Sequence, residues 1–403
     1  MRLDTASLLL IAALVAGILP PGYSAYIGAY IALVAALWAF ALYGWRERAV
    51  FRQPSARAIL GAIALVTIAV PFVYRSQADI LAPVLLLPML TSIAMAMLGR
   101  RARTVPGPLL FAALCLAASL LALAGGAYEH YVLGMYRPGL GNNPIHYGSL
   151  AALAGCLAMV GIVASTSPWR YVFFLGPISA LGAAAIADSR GPMLGAMVMT
   201  SMGAVLLIVW LWRDTMFRLA MLAGLAIAAV TLFYLIGSGN TRVAGILDSG
   251  LNVFRFTGGT DDIRAALYMS ALQILKTSPI VGVGLGQIML TAQSLFPGQG
   301  EAFTLENLHA DWANFAAMAG GLGLIAWLLL LAAPLLLLLD RRTRQHRPVV
   351  LGAVLLSAGQ FTLGISNATF GILPQTTIYA VALGYFMVLS MRLPPADSVQ
   401  PTN

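Results

Sequence analysis

Apolar runs about twenty residues long recur along this sequence, and they leave few folds open. A helix needs ~20 apolar residues to cross the hydrocarbon layer. Backbone inside that layer must satisfy its own hydrogen bonds, which helices do and open sheets do not. Twelve runs are of this kind, at about 5–20, 24–43, 57–73, 79–98, 106–124, 146–165, 170–187, 191–212, 216–237, 312–339, 348–367 and 372–391. Composition agrees: 60% of residues are apolar and only 9% charged, against roughly a quarter charged in soluble domains. The chain reads as an all-α integral membrane protein, one polytopic domain over 1–403. The first run is short, but no convincing small-residue cleavage site precedes Pro20-Pro21, so it is taken as a span and not as a signal peptide. Cys115 and Cys156 both lie inside apolar runs and read as small hydrophobes, not as a disulfide or a metal pair.

Arginine placement sets the orientation. With the N-terminus in the cytoplasm, 16 of the 23 basic residues fall on that side, among them Arg46, Arg48, Arg100, Arg101, Arg341 and Arg342. Short arginine-rich cytoplasmic loops are the positive-inside signature, and Trp45, Trp169 and Trp212 mark the same boundary. The net charge of +9 is therefore topological, and nucleic acid is not an expected partner. Membrane lipids are. Both termini are expected in the cytoplasm. Seven basic residues go against the trend: Arg75, Arg137, Arg190, Arg242, Arg255, Arg264 and Lys276 lie on the outer face. No span carries Asp, Glu or Lys near its middle, as a proton- or sodium-coupled transporter would. Chemistry is expected at the outer surface, which is the periplasm in a Gram-negative cell.

That surface is dominated by one long polar stretch. The loop 238–311, between spans nine and ten, holds ten charged side chains and a helix-like segment from Thr260 to Lys276. Thr260 suits a helix cap, with Asp261 and Asp262 in the first turn. Ile263, Leu267, Ser270, Ala271 and Ile274 fall on one side, so the helix should lie against the membrane or the spans. Arg264 is not explained by that role. The run Gly282-Val283-Gly284-Leu285-Gly286 lacks the spacing and the lysine of nucleotide loops. It reads as a tight turn that lets backbone approach the spans.

Three further places on the outer face carry candidate chemistry. In Asp188-Ser189-Arg190-Gly191-Pro192, proline suits the first turn of a helix whose start faces outward. Such a start attracts anions, and the forked guanidinium of Arg190 suits phosphate, whether of a substrate or of a lipid headgroup. In Glu306-Asn307-Leu308-His309-Ala310-Asp311, His309 precedes span ten. His309, Ala313, Ala316, Gly320 and Gly323 form one helical stripe, with small residues that would admit a neighbouring span. A histidine at a helix start stays neutral near pH 7 and serves either as a base or as a cap shared with Asn307 or Asp311. The loop from Tyr136 to His146, with Arg137 and Asn143, is rich in turn formers and hydrogen-bonding groups, and would hold a sugar or simply re-enter the membrane.

Together these residues resemble the O-antigen ligase family and the wider group of lipid-linked polysaccharide polymerases. The resemblance rests on Ser189-Arg190-Gly191 at a span start, Arg264 in the long outer loop, the glycines of 282–286 and His309 before the next span. The family's histidine motif is matched at His309, Gly320 and Gly323, while Ala310 stands where the pattern has Asn, Ser or Gln. The resemblance implies a GT-C-like fold and an inverting, metal-independent glycosyl transfer with no cofactor. The donor would be O-antigen polysaccharide on undecaprenyl diphosphate in the inner membrane, the acceptor a hydroxyl of the lipid A-core oligosaccharide. It casts His309 as catalytic base and Arg190 and Arg264 as binders of the donor diphosphate. Arg137, Asn143, Ser189, Asn307 and Asp311 are expected to contact substrate. The absence of a D-x-D sequence fits a metal-free site.

Overall fold

The computed structural model describes residues 4–222, 260–295 and 305–394. It is helical, with no strand among the described residues. Among the described residues ten helices are long and apolar enough to cross a membrane, and each coincides with one of the runs above. In chain order they are α2 (Ser24–Tyr43), α3 (Pro54–Val73), α4 (Gln77–Arg101), α5 (Pro108–Val132), α6 (Pro144–Ala164), α7 (Pro168–Ile186), α8 (Arg190–Leu211), α11 (Asp311–Ala332), α12 (Arg347–Ser366) and α13 (Leu373–Met391). The first run forms a shorter apolar helix, α1 (Thr5–Ile18). The described part of the loop region holds α9 (Thr260–Thr277) and α10 (Ile288–Leu295). Of the ninth expected span only 216–222 is described, as helix; its remainder lies outside the described residues, as do Arg242 and Arg255.

Proline opens many of these helices, where its missing N–H costs nothing: Pro54, Pro108, Pro144, Pro348 and Pro374 all fall in the first two positions. Helices α6 and α13 form the centre of the bundle, each about 89% buried along its apolar window. Around them the outer helices expose large apolar side chains such as Leu37, Val205 and Val209, as lipid-facing surfaces do. Buried rings lock the centre: Phe111 stacks on Tyr385 at 4.5 Å, and the Tyr385 hydroxyl donates to the Pro106 carbonyl at 3.0 Å. Both cysteines are free and buried.

One end of the bundle gathers arginines. Glu47 accepts from Arg100 at 2.6 Å and Arg101 at 2.5 Å, and Arg48 lies 4.3 Å over the exposed ring of Trp45. The other end is held by loops that grip one another. Glu129 accepts from the Gly139 and Leu140 amides, and the Leu140 carbonyl accepts from the Tyr23 amide at the α1–α2 turn. Asp79, fully buried, accepts from the amides of Arg75 and Ser76, both at 2.9 Å, and of Gly286 at 2.8 Å. It thereby ties the glycine-rich run to the start of α4.

The tenth expected span is not the continuous helix that its apolar length suggests. Helix α11 breaks at Ala319 (φ −141°) and Gly320 (φ +61°, ψ −140°), and a separate 3-10 turn, Leu335–Leu339, follows it. The break is filled by backbone. The Val283 and Gly284 amides donate to the carbonyls of Ala317 and Met318, at 2.8 and 3.2 Å. The Gly321 and Leu322 amides donate to those of Pro279 and Ile280, also at 2.8 and 3.2 Å. A broken helix inside a membrane protein must find partners for the groups it frees, and the segment 279–284 supplies them. At Gly320, then, the stripe of small residues admits an inserted loop. A methyl at Gly320 would sit 2.5 Å from the Ile280 carbonyl carbon, and one at Gly282 would sit 2.4 Å from the Ala317 oxygen.

Candidate active site

The loop end of the bundle brings together side chains from five distant segments. His309 is the centre. It takes positive φ (53°), rare outside glycine, and its amide donates to the Asn307 side-chain oxygen at 2.8 Å. The preceding amide, Leu308, donates to the Asn314 side-chain oxygen at 2.9 Å. These two bonds shape the turn that opens α11, and its N-cap, Ala310, makes no side-chain cap bond. So His309 does not cap the helix.

The imidazole is half-buried. Burial lowers its pKa below the usual histidine value, and the charge of Arg264 lowers it further. The nearby Asn367 side chain acts in the opposite direction. Arg264 comes from α9, which spans the range read from sequence and packs Leu267, Ser270, Ala271 and Ile274, all fully buried, against the bundle. Tyr268, one turn on, sets its ring 5.6 Å from Trp312 and donates to the Ile365 carbonyl. His146, in the first turn of α6, is close enough to His309 and Glu306 to interact with both electrostatically.

Helix α8 starts at Arg190 with Pro192 in its first turn, and Ser189, its N-cap residue, makes no side-chain cap bond. Arg190 is exposed at that start. The next residue, Gly191, touches Ser366: a methyl there would lie 2.5 Å from the Ser366 hydroxyl. Since Asn367 follows Ser366, the start of α8 and the imidazole of His309 meet across two adjacent residues of the α12–α13 connection. The short stretch 365–370 thus runs from Tyr268, past the α8 start, to His309. It ends at a cavity of about 190 Å³ lined by Glu306, Asn307, Asn314, Phe315, Ala368 and Phe370 among others. The oxygens of Asn307 and Asn314 are engaged by backbone amides, which leaves their NH₂ groups as the donors for this cavity.

The other expected substrate contacts take structural places. Asp311 is fully buried and accepts from the Thr369 and Phe370 amides at 2.7 and 3.1 Å and from the Thr369 hydroxyl. It clamps the α12–α13 connection and faces no open space. Asn143 caps α6, its side chain accepting from the Ile145 amide at 2.9 Å. Arg137 reaches the carbonyls of Ala187 and Asp188, at 3.3 and 3.4 Å, and braces the turn before α8. In that turn Asp188 has positive φ (49°) and accepts from the Tyr136 hydroxyl. Ser189 is buried, its hydroxyl donating to the Ala187 carbonyl. Of the residues named from sequence, then, His309 and Asn307 share one turn, Arg264 lies within electrostatic reach of the imidazole, and Arg190 opens the helix whose Gly191 meets Ser366. His146 and Asn367 are additions. Their only signal in the sequence is polarity: each sits in a polar interruption between apolar runs. Among the described residues no group of three or more His, Cys, Asp or Glu side chains is placed to hold a metal ion.

The family comparison falls on this arrangement. Residues 175–328 match the family model of O-antigen ligase. Over those residues the chain is similar to the O-antigen ligase family. No curated protein matches the chain. The matched segment contains Arg190, Arg264, His309, the glycine-rich run and Gly320 of the helix break. His146 and the Asn367 connection lie outside it, before and after, and are joined to it only by the fold.

Proposed function

We propose that this protein transfers an O-antigen polysaccharide from undecaprenyl diphosphate to a sugar hydroxyl of the lipid A-core, at the periplasmic face of the bacterial inner membrane. Both termini would then be cytoplasmic, and the loop 238–311 would carry much of the site. The observation that carries this reading is a half-buried imidazole within electrostatic reach of an arginine, with its pKa lowered by burial and by that charge, inside the segment matched to O-antigen ligase.

The chemistry follows from the side chains. The acceptor hydroxyl attacks the anomeric carbon of the donor from the face opposite the diphosphate, so the configuration inverts. The carbon–oxygen bond to the diphosphate breaks, and undecaprenyl diphosphate leaves with the electron pair. Arg190 and Arg264 neutralise the charge that develops there, with the uncapped start of α8 adding its dipole. This is the job a divalent metal does elsewhere, and fixed guanidinium forks suit a diphosphate. His309 takes the hydroxyl proton; a positioned base of this kind contributes roughly 10²–10⁴-fold. The acceptor sugar would be taken by the cavity lined by Glu306, Asn307 and Asn314, on the loop and helix start that flank His309.

A polymerase of the same superfamily would use the same groups with a growing lipid-linked chain as acceptor. Deleting the gene and running the cell's lipopolysaccharide on a gel separates the two. Loss of the whole ladder supports the ligase. Core plus a single unit would assign polymerisation instead, and an unchanged ladder would overturn both. Transfer of labelled donor to acceptor in detergent excludes a transporter, which needs a sealed membrane.

A further inference from the structure

We infer that the turn after α9, residues 278–282, dips back into the bilayer, and that its exposed tip, Pro279 and Ile280, is a contact surface for the acyl chains of the leaflet on the His309 side. The stretch 238–311 is then not wholly outside the membrane. This goes beyond the glycosyl-transfer reading and does not depend on it.

Backbone bonds to a span set the depth of the turn. The Pro279 and Ile280 carbonyls accept from the amides of Gly321 and Leu322, which lie halfway along the 22-residue α11. At 1.5 Å per residue that is ~15 Å from the start of the span. The chain then climbs out again. Val283 and Gly284 bond to Ala317 and Met318, one turn nearer the start of α11. A methyl at Gly284 would lie 3.2 Å from Val73, the last residue of α3, and the Gly286 amide reaches Asp79 in the first turn of α4. So Gly284 stands level with the rim of α3 and α4, and Ile280 lies one turn further in.

The chemistry of the turn fits hydrocarbon, where non-helical backbone must find its partners inside the protein. The Ser278 amide donates to the Ile274 carbonyl at 2.8 Å and the Gly282 amide to the Ser278 carbonyl at 3.2 Å; Pro279 has no amide to satisfy. The hydroxyls fold back as well. Thr277 donates to the Gln273 and Ile274 carbonyls at 3.1 and 3.0 Å, and Ser278 to the Gly282 carbonyl at 2.7 Å. What faces outward is apolar: Ile280 is 67% exposed, and Pro279 is exposed beside it. Further along α11, Ile325 and Leu328 are exposed too, so the tip continues the lipid-facing surface of the span. Since bilayer surrounds the span at this level, the occupant is acyl chain. Lys276, four residues before Ile280, is also exposed; its stem can lie along the apolar surface while the ammonium stays with the lipid phosphates. Helix α9, which carries Arg264 near its start, is thereby moored to the bilayer at its other end.

The test uses the full-length protein in vesicles of phosphatidylethanolamine and phosphatidylglycerol, with neither donor nor acceptor added. Ile280→Cys and, separately, Pro279→Cys each take a nitroxide label; Cys115 and Cys156 are buried, and the unsubstituted protein gives the background. Power saturation of the spin signal compares collisions with oxygen, which concentrates in hydrocarbon, and with a water-soluble nickel chelate. Labels at 279 and 280 should favour oxygen several-fold. A label on Gln273→Cys, exposed on α9 two turns before Ile280, should favour the chelate. Labels at the tip as open to the chelate as the one at 273 would overturn the inference. So would labels shielded from both reagents, since protein would then cover the tip. A preference for oxygen that arises only on adding lipid-linked donor would overturn it too, by giving the surface to the donor's own chain. No transfer is measured, so the result stands apart from the fate of the glycosyl-transfer reading.

Discussion

Two substitutions at Asp311 should part company. The carboxylate is fully buried; Oδ1 accepts from both the Thr369 and Phe370 amides, and Oδ2 from the Thr369 hydroxyl. In Asp311→Ala both oxygens go, and two buried backbone amides lose their acceptor. An unsatisfied buried donor costs about 1–3 kcal/mol, so the pair costs about 2–6 kcal/mol. Asp311→Asn keeps an oxygen where Oδ1 was, so both amides stay satisfied. Its NH₂ replaces Oδ2 and can donate to the Thr369 oxygen, which has two lone pairs and already accepts from Gln360. What is lost is the acceptor for one hydroxyl hydrogen and the extra strength of bonds to a charge, about 1–2 kcal/mol. Thermal melting in detergent should therefore rank wild type, then Asn, then Ala, with a wide second gap. Turnover should survive largely in Asp311→Asn and fall in Asp311→Ala as the Asn367 connection loosens. If Asp311→Asn melted like wild type but transferred nothing, the carboxylate would be carrying a proton and the clamp would be the wrong account.

Other substitutions test the remaining parts. Gly320→Ala places a methyl at φ +61°, against the Ile280 backbone, and should cost about 1–3 kcal/mol or more in melting; Gly321→Ala, without positive φ, should cost much less. Arg264→Lys and Arg190→Lys should each lose most donor binding, measured with labelled lipid-linked donor, because a point charge does not replace a fork; wild-type binding in both would remove the diphosphate assignment. Transfer should continue in excess EDTA, and loss restored by Mg²⁺ or Mn²⁺ would refute the metal-free reading. The rate should hold down to pH values below the ordinary histidine range, since burial and Arg264 both lower the His309 pKa. The base works only when neutral, so activity falls as pH drops through that lowered value. Removing the charge in Arg264→Gln raises the value and should move the acid limb to higher pH; a limb that stays put would detach Arg264 from the imidazole.

The spans were legible because a membrane leaves a helix no choice but length and apolarity, and helix α9 was legible because its buried side recurs at helical spacing. The break in α11 was not. Ala313, Ala316, Gly320 and Gly323 spell the same letters whether they face a neighbouring helix or yield to an inserted loop. What decides between the two is the backbone of 279–284, which periodicity within α11 does not report. His309 and Arg264 could be singled out as polar groups at the ends of apolar runs. Asp311 could not be assigned its part, because a clamping carboxylate looks in sequence like any polar residue near a span end. The fold also changes what the shared motifs mean. The glycine-rich run at 282–286 and the glycines that follow His309 read as separate features. In the structure they are two halves of one contact. Gly282 and Gly284, both at positive φ, lead the inserted backbone, Gly320 opens the helix to receive it, and four hydrogen bonds close the seam. A methyl at Gly323 would lie 1.9 Å from the Phe315 oxygen, so the helix beyond the break also returns too close for any side chain. That seam fixes the two turns of α11 that carry Asp311 and Asn314, and through them the loop of His309. The glycines of both motifs thus act on the chemistry without touching it, by setting where the histidine stands.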